Sequence, residues 1–300
     1  VLQVAYDPIY KYQLPPGHRF PMEKYELLPE QLLHEGTIDE ENFFSPTPLT
    51  DEIILQTHDE GYFKKLLSQS LTRKEIRAIG FPLTPMLIER GRVIAGGTLE
   101  CAHIAVESGV ALNIAGGTHH AYADRGGGFC VMNDVAIAAK HLINSGEFDQ
   151  ILIADLDVHQ GDGTAHIFRK EPRAFTFSMH GESNYPLRKE QSDLDIGLAD
   201  GTGDELYLSI LSEVFEELLE RIKPELVFYL AGVDVLESDE LGRLQLTREG
   251  CKERDRIVLS QCKQASIPVA VTMAGGYSTQ IRDIIDAHAN TFRLAQQIFF

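Results

Sequence analysis

The stretch Ala154-Asp155-Leu156-Asp157-Val158-His159-Gln160-Gly161-Asp162-Gly163 carries an apolar strand pattern into a glycine-rich turn. Side chains alternate faces along a strand, so Asp155, Asp157 and His159 share one side. Metal-competent groups at the end of an apolar strand are costly to bury unpaired, which makes the run a candidate metal site. The plainer reading is a loop after a strand, where Asp and Gly are common. Asp234 follows a second apolar run, in Ala231-Gly232-Val233-Asp234. Asp157, His159 and Asp234 together make a set of two carboxylates and one imidazole with a position left open, as a catalytic metal requires. Two carboxylates cancel the charge of a divalent ion, so such a site acidifies water less than a tris-histidine site does and calls for a base nearby.

A base is available in Thr118-His119-His120, beyond a third apolar run. Adjacent histidines in a loop are more often surface residues than catalytic ones. These follow Gly116-Gly117 and precede Gly126-Gly127-Gly128, backbone that can approach a ligand closely. A fourth turn holds Gly275-Gly276-Tyr277. A tyrosine after a diglycine is usually a packing residue, but opposite a metal it can donate a hydrogen bond to a developing oxyanion.

These groups need elements to hold them. Short apolar runs at Val110–Ala115, Gln150–Leu156, Ala174–Met179, Glu225–Ala231 and Pro268–Ala274 read as buried parallel strands. Between them, apolar residues repeat at helical spacing from Leu206 to Ile222, after Gly203-Asp204 and before Pro224. Further helices are expected over Pro85–Ser108, Thr247–Gln264 and Thr279–Ile298. The alternation predicts an α/β fold: a single doubly wound domain over residues 1–300 with a mainly parallel central sheet flanked by helices. Ligands in such sheets gather at the carboxyl ends of strands, where every candidate group lies. The segment up to about Gly80 is rich in Pro and charge, mostly helical, and reads as a decoration of that domain.

Composition narrows the partners. The formal charge is −18, from 45 acidic and 27 basic residues, and no Lys/Arg run is long enough to track a phosphate backbone. Direct nucleic-acid binding is not expected, whereas the acidity could attract cationic substrates. Cys101, Cys130, Cys251 and Cys262 form no C-x-x-C pair, which fits free thiols in a reducing compartment. No apolar run approaches the roughly 20 residues that span a bilayer, and VLQVAYDP reads as a strand, so no membrane association and a cytoplasmic location are expected.

Taken together, His119-His120, Asp124-Arg125-Gly126-Gly127-Gly128-Phe129-Cys130, Asn133-Asp134, the Asp155–Gly163 run, Gly201-Thr202-Gly203-Asp204, Ala231–Asp234 and Gly275–Tyr277 resemble the histone deacetylase family. The resemblance runs from about Tyr6 to the end of the chain. Asp124–Cys130 and Asp234–Gly242 look most like the class IV branch and its bacterial relatives. The resemblance implies the arginase/deacetylase fold and a zinc-dependent amidohydrolase that deacylates an N-acyl-lysine, acetyl or longer. Ferrous iron is also compatible with the donor set. It implies that Asp157, His159 and Asp234 hold the metal, that His120 is the general base and then acid, and that His119 is an electrostatic partner. Asp155 and Asp162 would accept hydrogen bonds from His119 and His120, and Tyr277 would polarise the scissile carbonyl. Gly128 looks like the residue whose carbonyl receives the substrate amide, with Phe129 and Tyr185 as tunnel walls. Asp155, Ser178 and Met179 resemble a monovalent-cation site, taken as potassium. Arg19 is a candidate for the pocket floor, with an ordinary surface or ion-pair role about equally expected. Ala274 stands where many relatives have a third glycine.

Three rivals bear weighing. An arginase-like hydrolase needs two bridged manganese ions and a second carboxylate cluster, which is missing. A non-catalytic acyl-lysine reader should have lost a ligand, the base or the tyrosine, and all are present. The third keeps the chemistry but acts on an acetylpolyamine or another small acylated amine.

Overall fold

The five apolar runs become five strands lying side by side. In the computed structural model, which describes all 300 residues, the strands are β1 (Gln3–Ala5), β2 (Phe43–Phe44), β3 (Val110–Asn113), β4 (Ile151–Asp155), β5 (Ala174–Gly181), β6 (Leu194–Leu198), β7 (Leu226–Leu230) and β8 (Val269–Thr272). They form one sheet in the order β2-β1-β3-β8-β7-β4-β5-β6, and each neighbouring pair is parallel. Every residue of β3, β4, β7 and β8 is buried, as strands covered on both faces must be.

The helices are α1 (Lys24–His34), α2 (Asp51–Ile54), α3 (Glu60–Leu67), α4 (Arg73–Ile79), α5 (Pro85–Ser108), α6 (Asp134–Ser145), α7 (Asp162–Phe168), α8 (Asp204–Ile222), α9 (Arg248–Ala265) and α10 (Ile281–Phe299). Helix α5 packs on β3, β8 and α6, while α8, α9, α10 and α1 pack in succession beside one another. The expected span of α5 is the observed one: the Thr84 side chain accepts the Leu87 amide at its start, and Pro85 takes the first turn, where its missing N–H costs nothing. A single apolar cluster runs through the molecule and draws on β1, α1, α5 and α10 alike.

Two expectations need correction. The first eighty residues are more than a decoration, because β1 pairs with β3 and carries β2 as the sheet edge. Their Phe20 and Tyr25 also wall the pocket described below. Strand β6 was not anticipated: Leu194–Gly197 alternate between partly buried and exposed and only Leu198 is buried, so it lacks the continuous apolar run of a central strand.

Candidate active site

The turns after β3, β4, β7 and β8 converge, because those four strands are adjacent in the sheet. Asp157, His159 and Asp234 are buried, and one potential ligand atom from each lies within 4.8 Å of the other two. His159 Nδ1 is 3.0 Å from Asp157 Oδ1 and 3.2 Å from Asp234 Oδ2. A tetrahedron with ligand bonds of ~2.0 Å has an edge of about 3.3 Å, so this spacing fits one small divalent ion. The carboxylates are fixed from behind: Asp157 Oδ2 accepts the Gly275 amide at 2.8 Å, and Asp234 Oδ1 accepts the Val158 amide at 2.9 Å. A Cβ on Gly275 would stand 2.0 Å from Asp234 Oδ2, so glycine is required where the β8 turn passes.

The field of this triangle favours a cation. Burial works against a charged His159, yet its bonds to Asp157 and Asp234 lift it to about 10. Burial, with Asp157 nearby, pushes Asp234 up to about 7. Burial also opposes ionisation of Asp157, but His119 and His159 hold it well below the usual carboxylate range.

The two adjacent histidines are driven in opposite directions. Burial would lower His119, but Asp155, with Asp157 behind it, raises it to about 9; the bond from His119 Nδ1 to Asp155 Oδ2 is 2.7 Å. Burial and the His119 charge lower His120 to about 4, although its Nδ1 is 2.7 Å from Asp162 Oδ1. Nδ1 of His120 therefore carries the proton and Nε2 is left as an acceptor. Paired groups whose environments split their proton affinities are the mark of an acid–base division of labour. Asp134 shapes the turn beneath them, accepting the Gly117 and Thr118 amides and the Thr118 and Thr98 hydroxyls.

Across the site, the Tyr277 ring centroid is 6.4 Å from that of His159 and 5.9 Å from that of Phe129. Burial, with Asp157 and Asp234, raises the phenol well above 10, so it stays a donor. A cleft of about 360 Å³ leads inward past Phe129, Tyr185, Gly128 and Tyr277 to His120 and His159. The Tyr185 ring stands edge-on to His120 at 4.8 Å. Gly128 has φ of +48°, and a Cβ there would meet the His120 ring at 2.5 Å. A larger depression, about 720 Å³ between the 236–249 segment and α10, holds none of these groups.

Arg19 is not at the floor: it is exposed at the mouth, its guanidinium carbon 5.1 Å from the Phe129 ring centre. The buried cations below are Arg90, which lines the inner pocket, and Lys24, which donates to the Ala274 carbonyl at 3.1 Å and lies 5.8 Å from the Tyr277 ring centre. Sequence reading missed Lys24, since a lysine opening an amphipathic helix reads as surface. It also missed the role of Asp239, whose Oδ2 accepts the Tyr277 amide at 2.6 Å while Oδ1 accepts the amides of Leu241 and Gly242. Of the histidines without an evident role, His58 accepts the Asn133 amide and His18 bonds the Gly80 carbonyl, so both brace loops.

The model of the histone deacetylase domain matches residues 18–292 of this chain. The chain belongs to the histone deacetylase family. It is similar to an uncharacterized protein of Picosynechococcus, 45% identical over 297 residues and 99% of each chain. A probable deacetylase of Archaeoglobus fulgidus is 30% identical, over 92% of this chain and 81% of its own. Histone deacetylase 2 of Arabidopsis thaliana is 29% identical, over 92% and 74%. Among solved structures, an HDAC homolog complexed with SAHA superposes with a TM-score of 0.84 at 25% identity, covering 99% of this chain and 84% of that one. An HDAC homolog from Aquifex aeolicus shares the fold, with a TM-score of 0.81 over 98% of this chain and 84% of its own, at 24% identity. Family and fold make this histone deacetylase homologue a deacetylase-type hydrolase.

Proposed function

We propose that this chain is a zinc-dependent deacylase that hydrolyses the amide of an N-acyl-lysine. The observation that carries the reading is the meeting, at the inner end of one cleft, of the Asp157–His159–Asp234 triangle, a neutral His120 and a protonated Tyr277. Asp157, His159 and Asp234 would hold the ion, which when bound supplies Lewis acidity toward the amide carbonyl and toward water. His120 Nε2 takes a proton from the attacking water and delivers it to the departing amine. His119, charged against Asp155, favours the negative charge that builds as water adds, and Asp162 fixes the His120 ring. Tyr277 donates to the carbonyl oxygen as it becomes an oxyanion. Gly128 offers its carbonyl to the substrate amide, and Phe129 and Tyr185 flank the acyl-lysine stem.

Potassium beside Asp155, Ser178 and Met179 belongs to the same reading, supported by the register that pairs Asp155 with Ser178 across β4 and β5. Four free, buried cysteines support a reducing, cytoplasmic setting. No helix is long and apolar enough to cross a membrane.

Purified protein is expected to contain about one zinc or ferrous ion per chain. Chelation should abolish activity, and a hydroxamate should inhibit. Two bridged ions, or full activity with none, would refute the metal reading.

The mouth of the cleft favours lysine over polyamine. No carboxylate lines it; Arg19 and Arg243 do, beside Tyr185, Leu187 and Leu241. Arg243 is paired with Asp200 at 3.1 Å, whereas Arg19 has no acidic partner. An acetylpolyamine keeps at least one ammonium, which the guanidinium of Arg19 at the mouth would repel, the more so at low salt. An acetyl-lysine peptide with neutral flanks is therefore expected to exceed acetylputrescine in kcat/KM, with Arg19→Glu narrowing the gap. Faster turnover of the polyamine by the unmodified protein would reverse the assignment.

A further inference from the structure

One Arg–carboxylate pair in the molecule is buried completely on both sides: Arg254 and Asp255, consecutive on α9 and both 0% exposed. Such a pair is a poor stabiliser, because stripping water from two charges offsets most of their attraction. Its contacts indicate another use. The Arg254 Nε and Nη2 groups bond Asp255 Oδ1 at 2.9 and 2.7 Å, leaving Nη1 to donate to two backbone carbonyls, those of Leu156 and Gly232. Leu156 directly precedes Asp157 at the end of β4, and Gly232 lies two residues before Asp234 beyond β7. A single NH2 group thus fastens together the backbones that deliver the two carboxylate ligands.

The separation of those buried carboxylates depends on how the two strand ends are held, and Arg254 Nη1 ties those ends through the Leu156 and Gly232 carbonyls. Asp255 is in turn held by the Tyr229 and Thr291 hydroxyls, at 2.5 and 2.6 Å, so the fork rests on β7 and α10 as well as on its own helix. Asp255 offsets much of the guanidinium charge, and the two carbonyl bonds act on the site through geometry.

We propose that Arg254, with Asp255 as its fixed counter-ion, is a positioning residue that sets the separation of the Asp157 and Asp234 carboxylates and thereby the affinity of the site for its divalent ion. The inference rests on the metal reading given above.

Zinc affinity measured on metal-stripped protein, by competition with a chromophoric chelator and without substrate, tests it. The melting temperature of the metal-free protein is recorded alongside. Arg254→Met with Asp255→Asn removes the fork while leaving an acceptor for Tyr229 and Thr291; Arg254→Lys keeps the charge but cannot fork. Outer partners of metal ligands typically govern affinity by about 10- to 100-fold, and the double variant should weaken zinc by that factor, with Arg254→Lys in between. Arg248→Met, exposed at the start of the same helix, should bind as the wild type does. A folded variant of either kind that binds zinc as tightly as the wild type overturns the proposal, and should the double variant fail to fold, Arg254→Lys decides. A wild-type protein that takes up no divalent ion overturns the metal reading instead, a separate and recognisable result.

Discussion

His120→Ala is expected to lower turnover by a factor on the order of 10² to 10⁴, the range for loss of a general base, while bound metal stays at the wild-type level. The two readouts separate because His120 is bonded to Asp162 and not to the Asp157–His159–Asp234 triangle. Its ring centroid is 5.8 Å from that of His159, beside the triangle without belonging to it. The neutral state needed of a base is secured by burial and by the charge of His119. His119→Ala should cost less turnover, since the role proposed for that imidazole is electrostatic. Metal content and single-turnover rates on the same preparation check the assignment, and a near wild-type rate for His120→Ala would refute it.

Tyr277→Phe should lower turnover by roughly 10² or more, the usual cost of losing one oxyanion donor. Metal content and substrate affinity should remain unchanged. Two carboxylates leave the bound ion with little net charge, so a second electrophile is needed as the carbonyl oxygen gains charge. The substitution removes only the hydroxyl. The ring keeps its neighbours Phe20, Phe129 and Lys24, and the loop keeps its anchor, since Asp239 holds the Tyr277 backbone amide and not the phenol. A fall in affinity with unchanged turnover, or no change at all, would make Tyr277 a packing residue and remove the oxyanion step.

The strands that carry the site were the legible part of the sequence. Strands β3, β4, β7 and β8 are buried on every residue, so each shows as a continuous apolar run, and the residue types just beyond each run gave the candidate groups. Edge strands left no such trace: β2 is two phenylalanines, and β6 alternates with exposed positions. Residues that act from a distance were also invisible. Arg254 and Asp255 sit in the charged stretch Arg248–Arg256, which has the look of a solvated helix face, and only the packing of α9 on the sheet buries two of its charges. Lys24 and Asp239 fall in the same class. Each has a partner far away in sequence, Ala274 for Lys24 and Tyr277 for Asp239, and no local pattern encodes it.

The strand order carries a consequence for how the chain comes to be active during synthesis. Strand β8, the last to be made, lies between β3 and β7 in the interior of the sheet. Until residues 269–272 have been translated, β3 and β7 lack the strand that pairs with both, and β2-β1-β3 and β7-β4-β5-β6 have no strand between them. His119 and His120 belong to the first part, and Asp157, His159 and Asp234, the proposed metal ligands, to the second. β8 joins them and brings Tyr277 with it, so the proposed site is incomplete without that strand. Before it is in place two long-range parallel edges stand open, the kind of surface that folds slowly and invites wrong pairing.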